Sequence, residues 1–115
     1  MSESEVRLTL EWIPGKFAMA RYPEDAEIPP WALDSHVLMS VTRTHDALSI
    51  LGPDNRFPFN VKCERGFVAL HILERLDFNL FGILSRLARA LADAEVPILV
   101  VSTYDTDVIL FKQDK

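Results

Sequence analysis

The sequence predicts an α+β chain in which antiparallel sheets and one long helix are divided between two related halves. Three observations carry this reading. Val6, Leu8, Leu10 and Trp12 alternate with Arg7, Thr9 and Glu11, the period of a half-buried strand. Leu80, Ile83, Leu84, Leu87, Ala88, Leu91 and Ala94 recur at spacings of three and four, the stripe of an amphipathic helix. Two segments, VTRTHDALSI at 41–50 and STYDTDVILF at 102–111, resemble each other at a constant shift that places Thr42 on Thr103 and Asp46 on Asp107.

The elements follow in order. Pro14-Gly15 is a turn signal. The strand before it and a second one over Phe17 to Tyr22 are therefore expected to form a hairpin. The acidic, proline-rich stretch Pro23 to Pro30 reads as a stiff loop, and Pro30 with Trp31 opens a single helical turn. Val37 to Val41 and Leu48 to Leu51 read as strands, and residues 52–65 as the connection between halves. Phe67 to Leu73 is a strand, and Asp77 or Asn79 is placed to cap the helix that follows. Pro97 ends that helix region, since the residue before a proline resists the α conformation. Ile98 to Val101 and Val108 to Phe111 complete a strand–helix–strand–strand order, most of a βαββαβ unit. The first half repeats that order with only a short turn in place of the helix. Domain bounds are 6–60 and 61–115.

Composition excludes several classes. Hydrophobic residues make up 49% of 115, a globular proportion, and the net charge is −5 with scattered basic residues. A nucleic-acid backbone would repel such a surface. No apolar run approaches the ~20 residues of a membrane span, and the N-terminus has no basic-then-apolar signal pattern. A single cysteine, Cys63, allows no intrachain disulfide and fits a reducing, cytoplasmic compartment. The spacing of His36, His45 and His71 is not that of metal ligands. No nucleophile elbow, P-loop or dinucleotide fingerprint is visible. The expectation is a chain with no catalytic residues, metal or cofactor.

Several short pieces are distinctive in order: Phe17-Ala-Met-Ala-Arg21, Ile28-Pro-Pro-Trp31, Ser40-Val-Thr-Arg-Thr44, Leu48-Ser-Ile50, Glu64-Arg-Gly66, Leu76-Asp-Phe78 with Gly82, and Ser102-Thr-Tyr-Asp-Thr-Asp107. On these the chain resembles small bacterial proteins with two ferredoxin-like, ACT-like lobes in tandem, related to the arginine-sensing CASTOR proteins and distantly to aspartate kinase regulatory domains. The resemblance implies a homodimer that binds a small molecule, typically an amino acid, without catalysis. It departs from the family at Phe67, where a bulkier group often stands, and in having no helix after the last strand.

The resemblance places a ligand near the start of the long helix: Asp77, Phe78, Asn79, Leu80, Phe81 and Gly82. Free N–H groups at a helix start attract a carboxylate, Asp77 suits an amine, and Gly82 permits close approach. A structural reading stands beside it, with Asp77 as a cap and Gly82 relieving a packing contact. Ser102 and Thr103 in the oxygen-rich turn, and Arg43 in the corresponding turn of the first half, complete the candidate set. Ordinary turn hydrogen bonding accounts equally for the former. The competing class is a protein-interaction module with no small ligand.

Overall fold

The structure, a computed structural model, describes residues 9–34, 37–72 and 80–112. Six strands form one antiparallel-paired sheet in the order β2-β3-β1-β4-β6-β5. They are β1 (Leu10–Tyr22), β2 (Ser40–Arg43), β3 (Leu48–Pro53), β4 (Cys63–Ile72), β5 (Ile98–Ser102) and β6 (Asp107–Lys112). A 3-10 turn, Pro30–Leu33, lies between β1 and β2, another, Asp54–Arg56, follows β3, and the helix α1 (Leu80–Asp93) lies between β4 and β5.

The expected hairpin at Pro14-Gly15 is absent. Residues Leu10 to Tyr22 run as one strand, and the turn signal becomes a bulge. Ile13 and Phe17 lie four residues apart on β1, yet their partners Ala69 and Phe67 lie two apart on β4. Gly15 takes φ 99°, a conformation open to glycine, and proline at a bulge sacrifices no ladder hydrogen bond. Long-range pairing with β4 on both sides of the bulge outweighs the local turn preference. A second irregularity sits on β4 at Gly66 (φ 86°), on the other side of the Phe17–Phe67 pair.

The antiparallel sheets expected from sequence form one continuous sheet, because β1 belongs to both halves: it pairs with β3 on one side and β4 on the other. Residues 52–65 are correspondingly not all linker. β3 continues through Pro53 and β4 begins at Cys63.

The two outer hairpins have the same register. In one, Val41 faces Ile50 and Arg43 faces Leu48; in the other, Val100 faces Ile109 and Ser102 faces Asp107. The shift is therefore 59, not the 61 read from sequence. It aligns Val41 with Val100, Thr44 with Thr103, Asp46 with Asp105, Ile50 with Ile109 and Leu51 with Leu110. Both turns close alike, with the Thr44 N–H donating to the Ala47 carbonyl at 2.9 Å and the Thr103 N–H to the Thr106 carbonyl at 2.8 Å.

Strand alternation divides the core. Phe17, Leu51, Phe67, Ala69, Val108 and Leu110 are buried together on one face. Ala18, Ala20, Leu48 and Ile50 lie on the other, under Ala32 and Phe57, where the Trp31 ring meets Phe57 edge-on at 4.9 Å between centroids. Leu38, just before edge strand β2, and Leu99 and Val101 of the opposite edge strand β5 all pack on the first cluster. Residues from beside both sheet edges thus pack on the same face.

Helix α1 ends where Glu95 adopts φ 59° and the Val96 N–H donates to the Leu91 carbonyl at 2.9 Å. This six-residue closure satisfies a terminal carbonyl and is usually made with glycine. Pro97 then prevents the helix from resuming.

Candidate ligand-binding site

Of the residues expected to bind a ligand, Asp77, Phe78 and Asn79 lie outside the described residues. Leu80, Phe81 and Gly82 form the first turn of α1, and their side chains also lie outside the description. Ser102 is exposed at the end of β5, opposite Asp107. Thr103 Oγ1 donates to the Thr106 carbonyl and accepts from the Thr106 N–H, both at 3.0 Å, which is turn chemistry. Arg43 stands in the other half. Its guanidinium donates to the Glu24 carbonyl and, at 2.7 Å, to the Ala26 carbonyl, tying the proline-rich loop to β2. Thr103 and Arg43 therefore already have protein partners.

On this face a cleft of about 470 Å³ is lined by residues from beside both sheet edges. β1 supplies Glu11, Trp12, Ile13 and Pro14; β4 supplies His71; Val37 and Leu38 come from beside one sheet edge, and Thr103 and Val108 from beside the other. Its size falls in the range of small-molecule pockets. Glu11 and His71 are direct cross-strand partners, so their side chains leave the same face side by side. Neither side chain makes a hydrogen bond or ion pair among the described residues. Ile13, Leu38 and Val108 form an apolar wall continuous with the buried cluster. Trp12 borders the cleft, 58% exposed, with its ring tilted against Phe111 at 6.0 Å. The sequence showed Glu11 only as one polar position in an alternating strand and His71 as a strand side chain. Their pairing depends on a register between residues sixty apart, and no local pattern reveals it.

Asp107 differs from every other acid described. It is 3% exposed, and its Oδ1 is buried with no hydrogen-bond partner among the described residues. Alternation along β6 turns it away from the cleft that Val108 lines. A smaller cleft of about 360 Å³ lies beside Met19, Arg21, Lys62, Cys63 and Glu64. Glu64 accepts from Lys112 Nζ at 2.8 Å, and that hydrogen bond, then the lysine charge, holds its carboxyl below the usual range. Among the described residues no group of His, Cys, Asp or Glu is arranged to hold a metal ion, and no helix is long and apolar enough to cross a membrane.

Comparison with known proteins places this architecture. Residues 62–115 match the family model of the ACT domain, and residues 15–60 match a separate model of an N-terminal domain. A crystal structure of an Agobacterium tumefaciens protein is 31% identical, with a TM-score of 0.86, over 95% of this chain and 81% of that one. The chain belongs to the same family as that Agobacterium protein. A Vibrio cholerae protein of unknown function, described as a possible transport protein, shares the fold at 14% identity and a TM-score of 0.73, over 94% of this chain and 80% of that one. Aspartate kinase of Clostridium acetobutylicum contains the same fold at 9% identity and a TM-score of 0.59, with 99% of this chain covering 35% of the enzyme. No curated protein matches. The β4-α1-β5-β6 half is thus the ACT-like part of the sheet, and β1-β2-β3 is the part matched by the N-terminal model.

Proposed function

We propose that this protein is a regulatory, small-ligand-binding protein that responds to an amino acid and has no catalytic activity of its own. The observation that carries the reading is the ACT-domain match over residues 62–115. The similarity to part of an aspartate kinase that is described as an allosteric enzyme supports it at the level of fold. In this reading the chain is a fused pair of ACT-like lobes, 6–60 and 61–115, of the kind seen in the CASTOR proteins. The separate family matches for the two segments, and the shared hairpin register, support that division. The protein works in the cytoplasm as a homodimer, with neither nucleic acid nor membrane as partner.

Ligand binding to the folded state raises the melting temperature by mass action. Thermal melting in the presence of each of the twenty amino acids at millimolar concentration tests the reading. A reproducible rise with one of them, or with a chemically related few, is expected. No rise with any of them contradicts it.

A second reading, a protein-interaction module without a small ligand, is favoured by the exposed apolar residues Leu10, Trp12 and Val100, 39%, 58% and 45% exposed. Size-exclusion chromatography with light scattering separates the two. A dimer of the chain alone fits the regulatory reading. A monomer that assembles only in cell extract favours the interaction module.

A further inference from the structure

We propose that the cleft lined from beside both sheet edges is a binding site for an α-amino acid with an apolar side chain, with Glu11 and His71 holding its two charged groups. The proposal rests on the regulatory reading above and adds a location and a ligand class to it.

The chemistry follows from the pairing of Glu11 with His71. A carboxylate accepts hydrogen bonds and attracts a cation; an imidazole N–H donates to an anion. Cross-strand partners hold such groups about 5 Å apart at the backbone. An α-amino acid carries its ammonium and carboxylate on one carbon, so both reach adjacent side chains at once, ammonium to Glu11 and carboxylate to His71. Charge-assisted hydrogen bonds of this kind are stronger than neutral ones. Among the described residues neither Glu11 nor His71 has a partner to give up on binding.

The rest of the cleft sets the side-chain class. Ile13, Leu38 and Val108 present apolar surface, and Val108 is 4% exposed, so the floor is core rather than solvent-facing. A charged side chain against that wall would lose its hydration without a partner, whereas a branched aliphatic or aromatic one would gain by burial. Among the described residues Glu11 is the one carboxylate in the cleft lining, so a basic side chain and the ammonium would compete for it.

The position also links binding to conformation. Leu38 flanks edge strand β2 and Val108 lies next to edge strand β5, so a side chain that touches both favours the arrangement in which they line one cleft. A ligand shifts such an equilibrium only through its preference for one state, and contact with both edges supplies that preference.

Isothermal titration of the full chain with leucine, isoleucine, valine, methionine and phenylalanine, and with arginine, lysine and aspartate, tests the proposal. The same titrations are run on Glu11→Gln and His71→Gln. Leucinamide and N-acetyl-leucine, each lacking one charge, are added as probes. An apolar amino acid is expected to bind the natural protein, with affinity falling about tenfold or more in each variant and with each single-charge probe. Unchanged affinity in both variants overturns the site and leaves the regulatory reading standing. Binding only of amino acids with charged side chains overturns the ligand class. No binding by any amino acid overturns both. Backbone amide shifts of the natural protein provide a readout independent of variant folding. Movement centred on Glu11 to Ile13, His71 and Leu38 is expected, and movement confined to other segments overturns the location.

Discussion

Phe17 of β1 and Phe67 of β4 are direct partners in the central ladder, and each holds the same position in its own half of the sheet. Phe17 faces Pro53 on β3 and Phe67 faces Lys112 on β6. Ala18 opposite Gly52 then corresponds to Val68 opposite Phe111, and Arg21 opposite Ser49 to His71 opposite Val108. An approximate twofold relation between the halves therefore passes through the two phenylalanines. They are 1% and 6% exposed and belong to one buried cluster.

Truncating either ring removes packing from both halves at once. Phe17→Ala and Phe67→Ala are each expected to destabilise the protein by about 3–5 kcal/mol, the usual cost of deleting a buried aromatic. Because the two share a cluster, the double variant should depart from the sum of the singles. Urea denaturation followed by circular dichroism measures all three; additive losses would show that the rings pack independently.

Gly66 is required by its backbone and not by its surroundings. Its φ of 86° is unfavourable for a side chain, while a Cβ added there meets nothing within 4 Å. Gly66→Ala is expected to cost about 1–2 kcal/mol from backbone strain alone. A drop in the denaturation midpoint of that size with an unchanged slope is the signature, and an unchanged midpoint means that β4 relaxes out of the bulge.

Asp107 is a buried carboxylate whose Oδ1 has no hydrogen-bond partner among the described residues, an arrangement that opposes folding. Replacing it with asparagine removes the charge and keeps the shape. Asp107→Asn is expected to raise stability by about 1 kcal/mol or more, read as a higher urea midpoint at neutral pH. A lower midpoint would mean that the charge has a stabilising partner.

Glu64 gives a pH dependence of known sign. Its carboxyl is held below the usual range in the folded protein, first by the hydrogen bond from Lys112 and then by the lysine charge. The folded state thus binds this proton less readily than the unfolded chain. The contribution is present above the unfolded value and is lost as pH falls through the lower folded one. Glu64→Gln should therefore lose less stability than the natural protein as pH falls through and below the ordinary glutamate range. Equal losses would mean that the ion pair contributes nothing in solution. The pair is largely exposed on the glutamate side, so the effect is small and salt-sensitive.

What the sequence disclosed is what local patterning controls. The stripe from Leu80 to Leu91 lies in α1, and the hairpins around Thr44 and Thr103 form because threonine hydroxyls and short loops define their own turns. Pro14-Gly15 reads in sequence as a turn because a turn signal and a bulge use the same residues, and only pairing with β4 distinguishes them. The repeat was visible but displaced by two residues: Asp46 matches Asp105, not Asp107, and only the ladder fixes that. The long-range neighbours of Arg43, and the pairing of Glu11 with His71, depend on packing between distant segments and left no trace in local sequence.

Native-state hydrogen exchange on the full chain tests most directly whether the two halves form a single sheet sharing β1. Amides of β3 (Leu48 to Leu51) and of β6 (Val108 to Leu110) are expected to open with one common free energy, equal to that of global unfolding. A β2-β3 unit that opens at clearly lower free energy than β4-β6, with β1 following only one of them, would contradict it.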